Sequence, residues 1–290
     1  MSSQYPDIHK YSQLYNIPQD QLIEGFKVES HYHQLLINEP DQNKRIEIYN
    51  EFYSKLMQVY QRTQSKEEEH NSKLKYVRLF EKEIKNKSVI DFGCGQGDML
   101  LAIAKQLPFK SLTGVDVFIP EELKTNGQIS FEEKGIIHYK SHKKYEVAIS
   151  DNVLEHLVKE DAIEHMKHVG KSLTEQGIFI AIMPNRLFGP ADVTRIKDFS
   201  ASGKTKAQGG HVNESTYHEL VEQLRVAGFR KFRTILPIPK FKYTLLRNLR
   251  IPLGWLLFIE KSPLLLKLFR SIRINGECPV KFIITIIAYK

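Results

Sequence analysis

The stretch Val89-Ile90-Asp91-Phe92-Gly93-Cys94-Gly95-Gln96-Gly97-Asp98 decides the fold. Ser88 to Phe92 is β-branched and apolar, which predicts a strand covered on both faces. Three glycines then alternate at 93, 95 and 97. After them Met99-Leu100-Leu101-Ala102-Ile103-Ala104 is a strong helix former that stops at Leu107-Pro108. A strand, a glycine-rich turn and a helix start make a ligand cradle. Glycine permits positive φ and close backbone approach, and the helix start offers free N–H groups and the positive end of a dipole.

Spacing selects the ligand. A dinucleotide-binding turn reads G-x-G-x-x-G and wants glycine or alanine at position 98. Asp98 stands there, and its carboxylate would crowd and repel a pyrophosphate. Asp91, two places before the first glycine, can attract a cationic amino-acid group. Both features favour S-adenosylmethionine (SAM), which carries an ammonium, a sulfonium and a ribose but no phosphate. Leu112-Thr113-Gly114-Val115-Asp116-Val117 predicts the next strand, with an acid nineteen residues past Gly97. Doubly wound folds place the acceptor for ribose hydroxyls at about this distance.

Asp91-Phe92-Gly93-Cys94-Gly95-Gln96-Gly97 together with Asp116 resembles the Rossmann-like (class I) SAM-dependent methyltransferases. Val153-Leu154-Glu155-His156 resembles the "VLEH" signature of one large subgroup. The resemblance covers about residues 76–238 and the last strand. It implies an α/β fold, a doubly wound, mostly parallel seven-stranded sheet whose last strand is antiparallel. It further implies that Asp91 orients the amino-acid end of the cofactor and that Gly93, Gly95 and Gly97, with Phe92 and Cys94 in the same loop, give close backbone approach. Asp116, followed by Val117, would hold the ribose. Ser150 and Asp151 end the fourth strand, which faces the transferred methyl. Such enzymes often place an acid soon after the third strand for the adenine amino group. Lys140-Ser141-His142-Lys143-Lys144 contains none, so adenine recognition falls to backbone or another side chain.

The remaining elements follow from periodicity. Ile136 to Tyr139 reads as the third strand and Tyr145 to Ser150 as the fourth. Ala162, Ile163, Met166, Val169 and Leu173 mark a covering helix, Thr174 to Gly177 a turn, and Ile178 to Met183 the fifth strand. Thr216 and Glu219 predict a capping box, and Gly228 the end of that helix. Phe229 to Leu236 and Val280 to Tyr289 read as the last two strands. Around this core the sequence divides into an N-terminal helical cap (1–75) and a methyltransferase domain (76–290) with two appended pieces. Ile46, Tyr49, Tyr53, Leu56 and Tyr60 share one helical face, either as packing or as the wall of a substrate pocket. Residues 186–215 read as a substrate lid with Gly209 and Gly210 as its hinge, and 240–275 as a basic and apolar helical insertion. His31 and His33 lack cysteine or carboxylate partners, and the sequence assigns no metal site.

At 290 residues and 41% hydrophobic content the chain can bury one large core. Its two cysteines, Cys94 and Cys278, suit a reducing cytoplasm and give no disulfide framework. The N-terminus shows no signal-peptide core, and no stretch reaches the ~18 apolar residues of a spanning helix. Eight basic residues against the single acid Glu260 lie between Lys240 and Arg273, so nearly all of the net charge of +8 resides there. That segment reads as packing, or as contact with an anionic membrane surface through 240–273 that makes the protein peripheral to the membrane.

The resulting expectation is methyl transfer from SAM to a small-molecule acceptor, a hydroxyl of a glycan-, lipid- or secondary-metabolite-type substrate. His211 is the first candidate base, His156 the second and Asp151 the third. A nucleic-acid methyltransferase is the alternative, disfavoured because Ser150-Asp151-Asn152-Val153 lacks the proline and aromatic residues that position a flipped base. A non-catalytic SAM-fold binding module is the other, disfavoured because Asp91, the glycines and Asp116 are intact.

Overall fold

A computed structural model describes residues 4–59, 66–125, 127–235, 246–272 and 283–290. β1 (Ser88–Phe92) pairs in parallel on both sides, with β2 (Ser111–Asp116) and β4 (Tyr145–Asp151). Every residue of β1 after Ser88 is buried, which is why its sequence is continuously apolar apart from Asp91. β3 (Ile129–Glu133) extends the parallel sheet beyond β2, and β5 (Leu173–Met183) extends it beyond β4. β8 (Ile284–Tyr289) runs antiparallel to β5 and to β6 (Lys231–Ile235), and β7 (Arg250–Pro252) is antiparallel to β6. The order is β3-β2-β1-β4-β5-β8-β6-β7.

Helices cover both faces. On one side α6 (Asp98–Gln106) packs Met99, Leu100, Ala102 and Ile103 with Val89, Val147, Ile149 and Ile180, and α4 (Lys66–Leu79) and α5 (Glu81–Ile84) continue that layer. On the other, α8 (Lys159–Ser172) and α9 (Tyr217–Val226) pack Ala162, Met166, Leu220 and Leu224 with Ile90, Phe92, Ala148 and Phe179. The α9 capping box is present, with Thr216 and Glu219 each bonding the other's backbone. The small α7 (Glu121–Lys124) follows β2.

Three expectations are corrected. The third strand is Ile129–Glu133, not 136–139. Ile137 and Tyr139 bury themselves against the core, and Tyr139 sets its ring edge-on to Phe92, while the edge position of β3 tolerates the polar residues that hid it. Thr174 to Gly177 does not end an element: β5 begins at Leu173 and carries these residues as a bulge opposite Tyr145–Val147. The sheet has eight strands among the described residues, because the insertion contributes β7, too short and too close to Pro252 to register as a strand in the sequence. Leu236 and 280–282, the outer ends of two predicted strands, lie outside the described residues, as do Tyr60, Lys240, Lys242, Arg273 and Cys278. The rest of the insertion is α10 (Gly254–Lys261) and α11 (Pro263–Ser271).

Of the N-terminal helices α1 (Ile8–Tyr15), α2 (Gln19–Asn38) and α3 (Gln42–Val59), α3 sits over the carboxyl ends of the strands and α2 packs on it, with α1 against α2. One buried cluster fixes α3. Arg45 donates to Asp161 through Nε (2.8 Å) and Nη2 (2.7 Å), Gln42 donates to the same carboxylate (2.8 Å), and Tyr49 donates to it (3.0 Å) while accepting from the Val158 amide (2.9 Å). The segment 186–215 packs under α1 and α2. Asp192 accepts from the amides of Thr194 (3.0 Å) and Gly209 (2.8 Å), Glu29 accepts from Gly210 (2.7 Å), and His33 meets the Gly209 carbonyl (2.9 Å). A Cβ at Gly209 would come within 2.7 Å of Glu29 and Val193, so close packing is what this glycine serves.

Burial alone would raise the Asp161 carboxyl, but hydrogen bonds from Arg45 and Gln42 outweigh it and hold it below the usual range. Its contribution is therefore present above the unfolded carboxylate range and lost as pH falls through the depressed folded value. Asp161→Asn, which leaves Arg45 buried without its counter-charge, is expected to cost about 3 kcal/mol in urea unfolding at pH 7. The gap to the wild type should close toward pH 3.

Candidate functional site

The loop after β1 is shaped by its glycines. Gly93 (φ +71°) turns the chain under Val153, and a Cβ there would lie 2.5 Å from that side chain. Gly95 (φ +51°) has nothing within 4 Å of where its Cβ would be, so its bare face opens for a ligand. The Gly95 amide donates to Asp116 Oδ2 (2.8 Å), which ties the loop to the end of β2. Asp116 is raised by burial against backbone donors that lower it.

A cavity of about 730 Å³ opens at this point. Gly93, Gly95, Gln96, Asp116, Val117 and Phe118 form its cofactor-loop end, Tyr49 and Tyr53 of α3 its roof, and Asn152, Val153 and His156 its inner wall. Gly135 to His138 close one side with backbone and apolar surface. The corrected β3 does end in acids, but Glu133 is held by Lys124 (3.0 Å) and Glu132 by Lys134 (2.8 Å), and neither lines the cavity.

Asp91 is buried at the end of β1, and burial together with the nearby Asp151 pushes its carboxyl well up, against the pull of Lys73. Asp151 receives Lys73 Nζ (2.7 Å) and the Asn152 side-chain amide (2.9 Å). Lys73 is thus the cation between two acids at the strand ends. Sequence reasoning placed it in the cap and missed it, since nothing local marks a lysine 78 residues from its partner. Phe92 packs against Tyr139 and His165, Ser150 meets His165 Nε2 (3.4 Å), and both lie in the core. Cys94 is buried with its thiol pushed up by desolvation, as suits a small packing residue rather than a nucleophile.

At the inner wall His156 and His211 meet edge to face with ring centroids 4.7 Å apart. His156 Nδ1 contacts the Gly210 carbonyl (3.1 Å), which makes it the donor nitrogen. Burial holds this ring down at about 3, so it is neutral. His211 lies behind it, away from the cavity lining, with Nδ1 2.7 Å from Glu214 Oε1. Burial would lower His211, but Glu214 and Glu155 outweigh it and lift it to about 9. Glu155 is fully buried and pushed up to about 7. The structure brings His156, His211 and Glu155 together and sets Asp151 apart in its ion pair with Lys73.

A family model described as a methyltransferase domain matches residues 64–233, more than half of the chain. The chain belongs to this family. It is a SAM-dependent methyltransferase. Two of the solved structures that share its fold illustrate the likeness. A candidate O-methyltransferase from Nostoc punctiforme PCC 73102 aligns at a TM-score of 0.51 and 15% identity, over 93% of this chain and 69% of its own. The Burkholderia thailandensis 1,6-didemethyltoxoflavin-N1-methyltransferase, solved with 1,6-didemethyltoxoflavin and S-adenosylhomocysteine, aligns at 0.53 and 12% identity, over 87% of this chain and 91% of its own. Curated protein sequences give no match.

The loop fits SAM on its own chemistry. The methyltransferase offers an open glycine face, a strand-end carboxylate for hydroxyls and a buried carboxylate beside the loop, while Asp98 at the first turn of α6 opposes a phosphate. Asp116→Ala should weaken SAM binding about 10- to 100-fold, the worth of one or two charge-assisted hydrogen bonds. Isothermal calorimetry checks this, with NADH as the ligand that should not bind and circular dichroism as the folding control.

Proposed function

We propose that this methyltransferase, a member of the "VLEH" subgroup, methylates an oxygen of a small acceptor that enters the cavity beneath α3. The observation that carries the reading is continuity: one cavity runs from Gly95 and Asp116 to Tyr49, Tyr53 and His156. Its size is that of a pocket for a drug-sized molecule. No lysine or arginine lines it among the described residues, which speaks against a nucleic-acid backbone as the acceptor. The aromatic and aliphatic lining favours an acceptor with a ring or hydrocarbon part over a bare sugar. Of the two fold neighbours, one is an O-methyltransferase candidate and the other an N1-methyltransferase solved with 1,6-didemethyltoxoflavin, which supports a small-molecule acceptor and leaves the choice of oxygen to the cavity's own residues.

Bound SAM would supply an activated methyl group, so the protein's tasks are alignment and handling the acceptor proton. Asp91, Gly93, Gly95, Gly97 and Asp116 with Val117 are assigned to the cofactor, with Phe92, Cys94 and Ser150 supporting the loop and strand ends from the core. Tyr49 and Tyr53 confine the acceptor. The acceptor hydroxyl is assigned to the inner wall at His156, with His211 behind it. His156→Ala is expected to lower kcat/KM at least 100-fold with an aromatic or lipid-linked hydroxyl acceptor, while SAM affinity stays within threefold. Equal loss of SAM binding would move His156 from the acceptor to the cofactor.

The insertion adds a membrane contact to this reading. Trp255, Phe258, Leu264 and Leu268 of α10 and α11 are all more than half exposed. Glu260 turns inward to accept from Asn185, Tyr217 and His218, so the outward face keeps Lys261 and Lys267 beside the apolar residues. No helix of the described residues is long and apolar enough to cross a membrane. Trp255 is the sole tryptophan. Its fluorescence should shift to the blue with lipid vesicles, at lower lipid concentration with phosphatidylglycerol than with phosphatidylcholine alone.

A further inference from the structure

The inner wall holds a group of side chains that methyl transfer from a sulfonium does not by itself require. Glu155 is completely buried, and neither of its carboxylate oxygens has a hydrogen-bond partner among the described residues. A buried carboxylate with nothing to accept from costs several kcal/mol unless a cation or donor meets it. One donor atom from each of Glu155, His156 and His211 lies within 4.8 Å of the other two. Both histidines already use Nδ1, His156 on the Gly210 carbonyl and His211 on Glu214, so Nε2 is the nitrogen each ring can offer a metal, His211 by giving up the proton that Glu214 and Glu155 favour. A backbone carbonyl behind one ring and a carboxylate behind the other are the partners that fix the tautomer and aim of metal-binding histidines.

We infer that Glu155, His156 and His211 form a three-ligand site for a divalent first-row metal ion, Zn2+ before others, at the inner wall of the acceptor cavity. Two imidazole nitrogens and one carboxylate oxygen are a donor set that zinc takes with a fourth position open. Tetrahedral bonds of about 2 Å need donors roughly 3.3 Å apart, so the three side chains, now within 4.8 Å of one another, would have to close on the ion as it binds. His156 lines the cavity and directs the open position toward the acceptor. An acceptor hydroxyl bound there loses its proton to solvent at lower pH than when free. The resulting oxygen anion takes the methyl, and S-adenosylhomocysteine leaves. This role rests on the methyl-transfer reading; the site itself does not.

A second trio, His138, Glu164 and His168, supplies the contrast. Glu164 is engaged by Lys167 (3.1 Å) and His168 (3.4 Å), and His138 is exposed. Only His138 is exposed and His168 is buried, and with Glu164 already engaged this trio is the natural source of background binding.

The test is titration of chelator-treated full-length protein with Co2+, read by its visible absorption bands, in a His138→Ala background and without SAM. One equivalent should bind, and His211→Ala and Glu155→Gln should each weaken it at least 100-fold. Glu214→Gln, which keeps all three ligands, should weaken it about 10- to 100-fold through the His211 ring alone. Absence of stoichiometric binding overturns the site, as does binding that is indifferent to Glu155→Gln and Glu214→Gln in variants that still bind SAM. Loss of SAM binding by the wild type would instead defeat the methyl-transfer reading and leave the metal result standing. Methylation undiminished by chelator in protein shown to bind Co2+ would overturn the activating role.

Discussion

The parallel pairing of β1 with both β2 and β4 sets the rest of the molecule. The chain leaves β1 toward β2 and β3, then crosses back to enter β4 on the opposite side. Right-handed crossovers then put the connecting helices on opposite faces, and the loops after β1 and β4 part where the direction reverses. A crevice at the carboxyl ends of these strands is the geometric consequence. The cradle of Gly93 to Gly97 follows β1, Asp116 ends β2, and Asn152 to His156 follow β4. Three segments far apart in sequence converge because the sheet leaves them one place to go.

The open end of that crevice is roofed from outside the sheet. α3 is held there by Asp161, at the start of α8, which gathers Arg45, Gln42 and Tyr49, and by its packing on α2. Tyr49 connects structure to site: its hydroxyl bonds Asp161 and the Val158 amide while its ring lines the cavity. The segment from Asp192 to His211 is bound to α2 through Glu29 and His33, so cap and segment form one enclosure. A displacement of α2 would be felt at Gly210, and through its carbonyl at His156.

Local features were legible in the sequence and distant partnerships were not. The strand–glycine–helix cradle, Asp116, the α9 capping box and the last strand are each written in a few contiguous residues, because dihedral preference and periodicity act locally; that the last strand runs antiparallel came only from the family resemblance. Ile136 to Tyr139 misled because four apolar residues look the same whether they enter a sheet or fill a core. The cap's aromatic face was legible, but which residues it covered was not. Glu155 carries no local sign of a task, since its significance lies in what surrounds it, and its neighbour His211 is more than fifty residues away. His211 drew attention as a base, yet Glu214 three residues on was the local sign that its ring is already engaged. Spacing can reveal a pair on one turn; it cannot reveal a cluster assembled by a sheet.

The net charge shows how position alters what composition implies. Of the basic residues in the insertion, Arg250 forks onto Glu83 and Arg247 faces Glu81, so these two fasten the insertion to α5 rather than forming a cationic surface. With Glu260 spent on the start of α9, the outer face of α10 and α11 is apolar with a lysine rim. On such a face the two forces differ in size. Burying Trp255, Phe258, Leu264 and Leu268 is worth about 1.5–3 kcal/mol each, against about 1 kcal/mol for each basic residue near anionic headgroups. Apolar insertion would therefore set the strength of a membrane contact, and the lysines would set only which lipids it prefers. The same ordering separates a lipid surface from a nucleic acid as partner: a phosphate backbone gains nothing from four exposed apolar side chains, whereas a bilayer gains most from them.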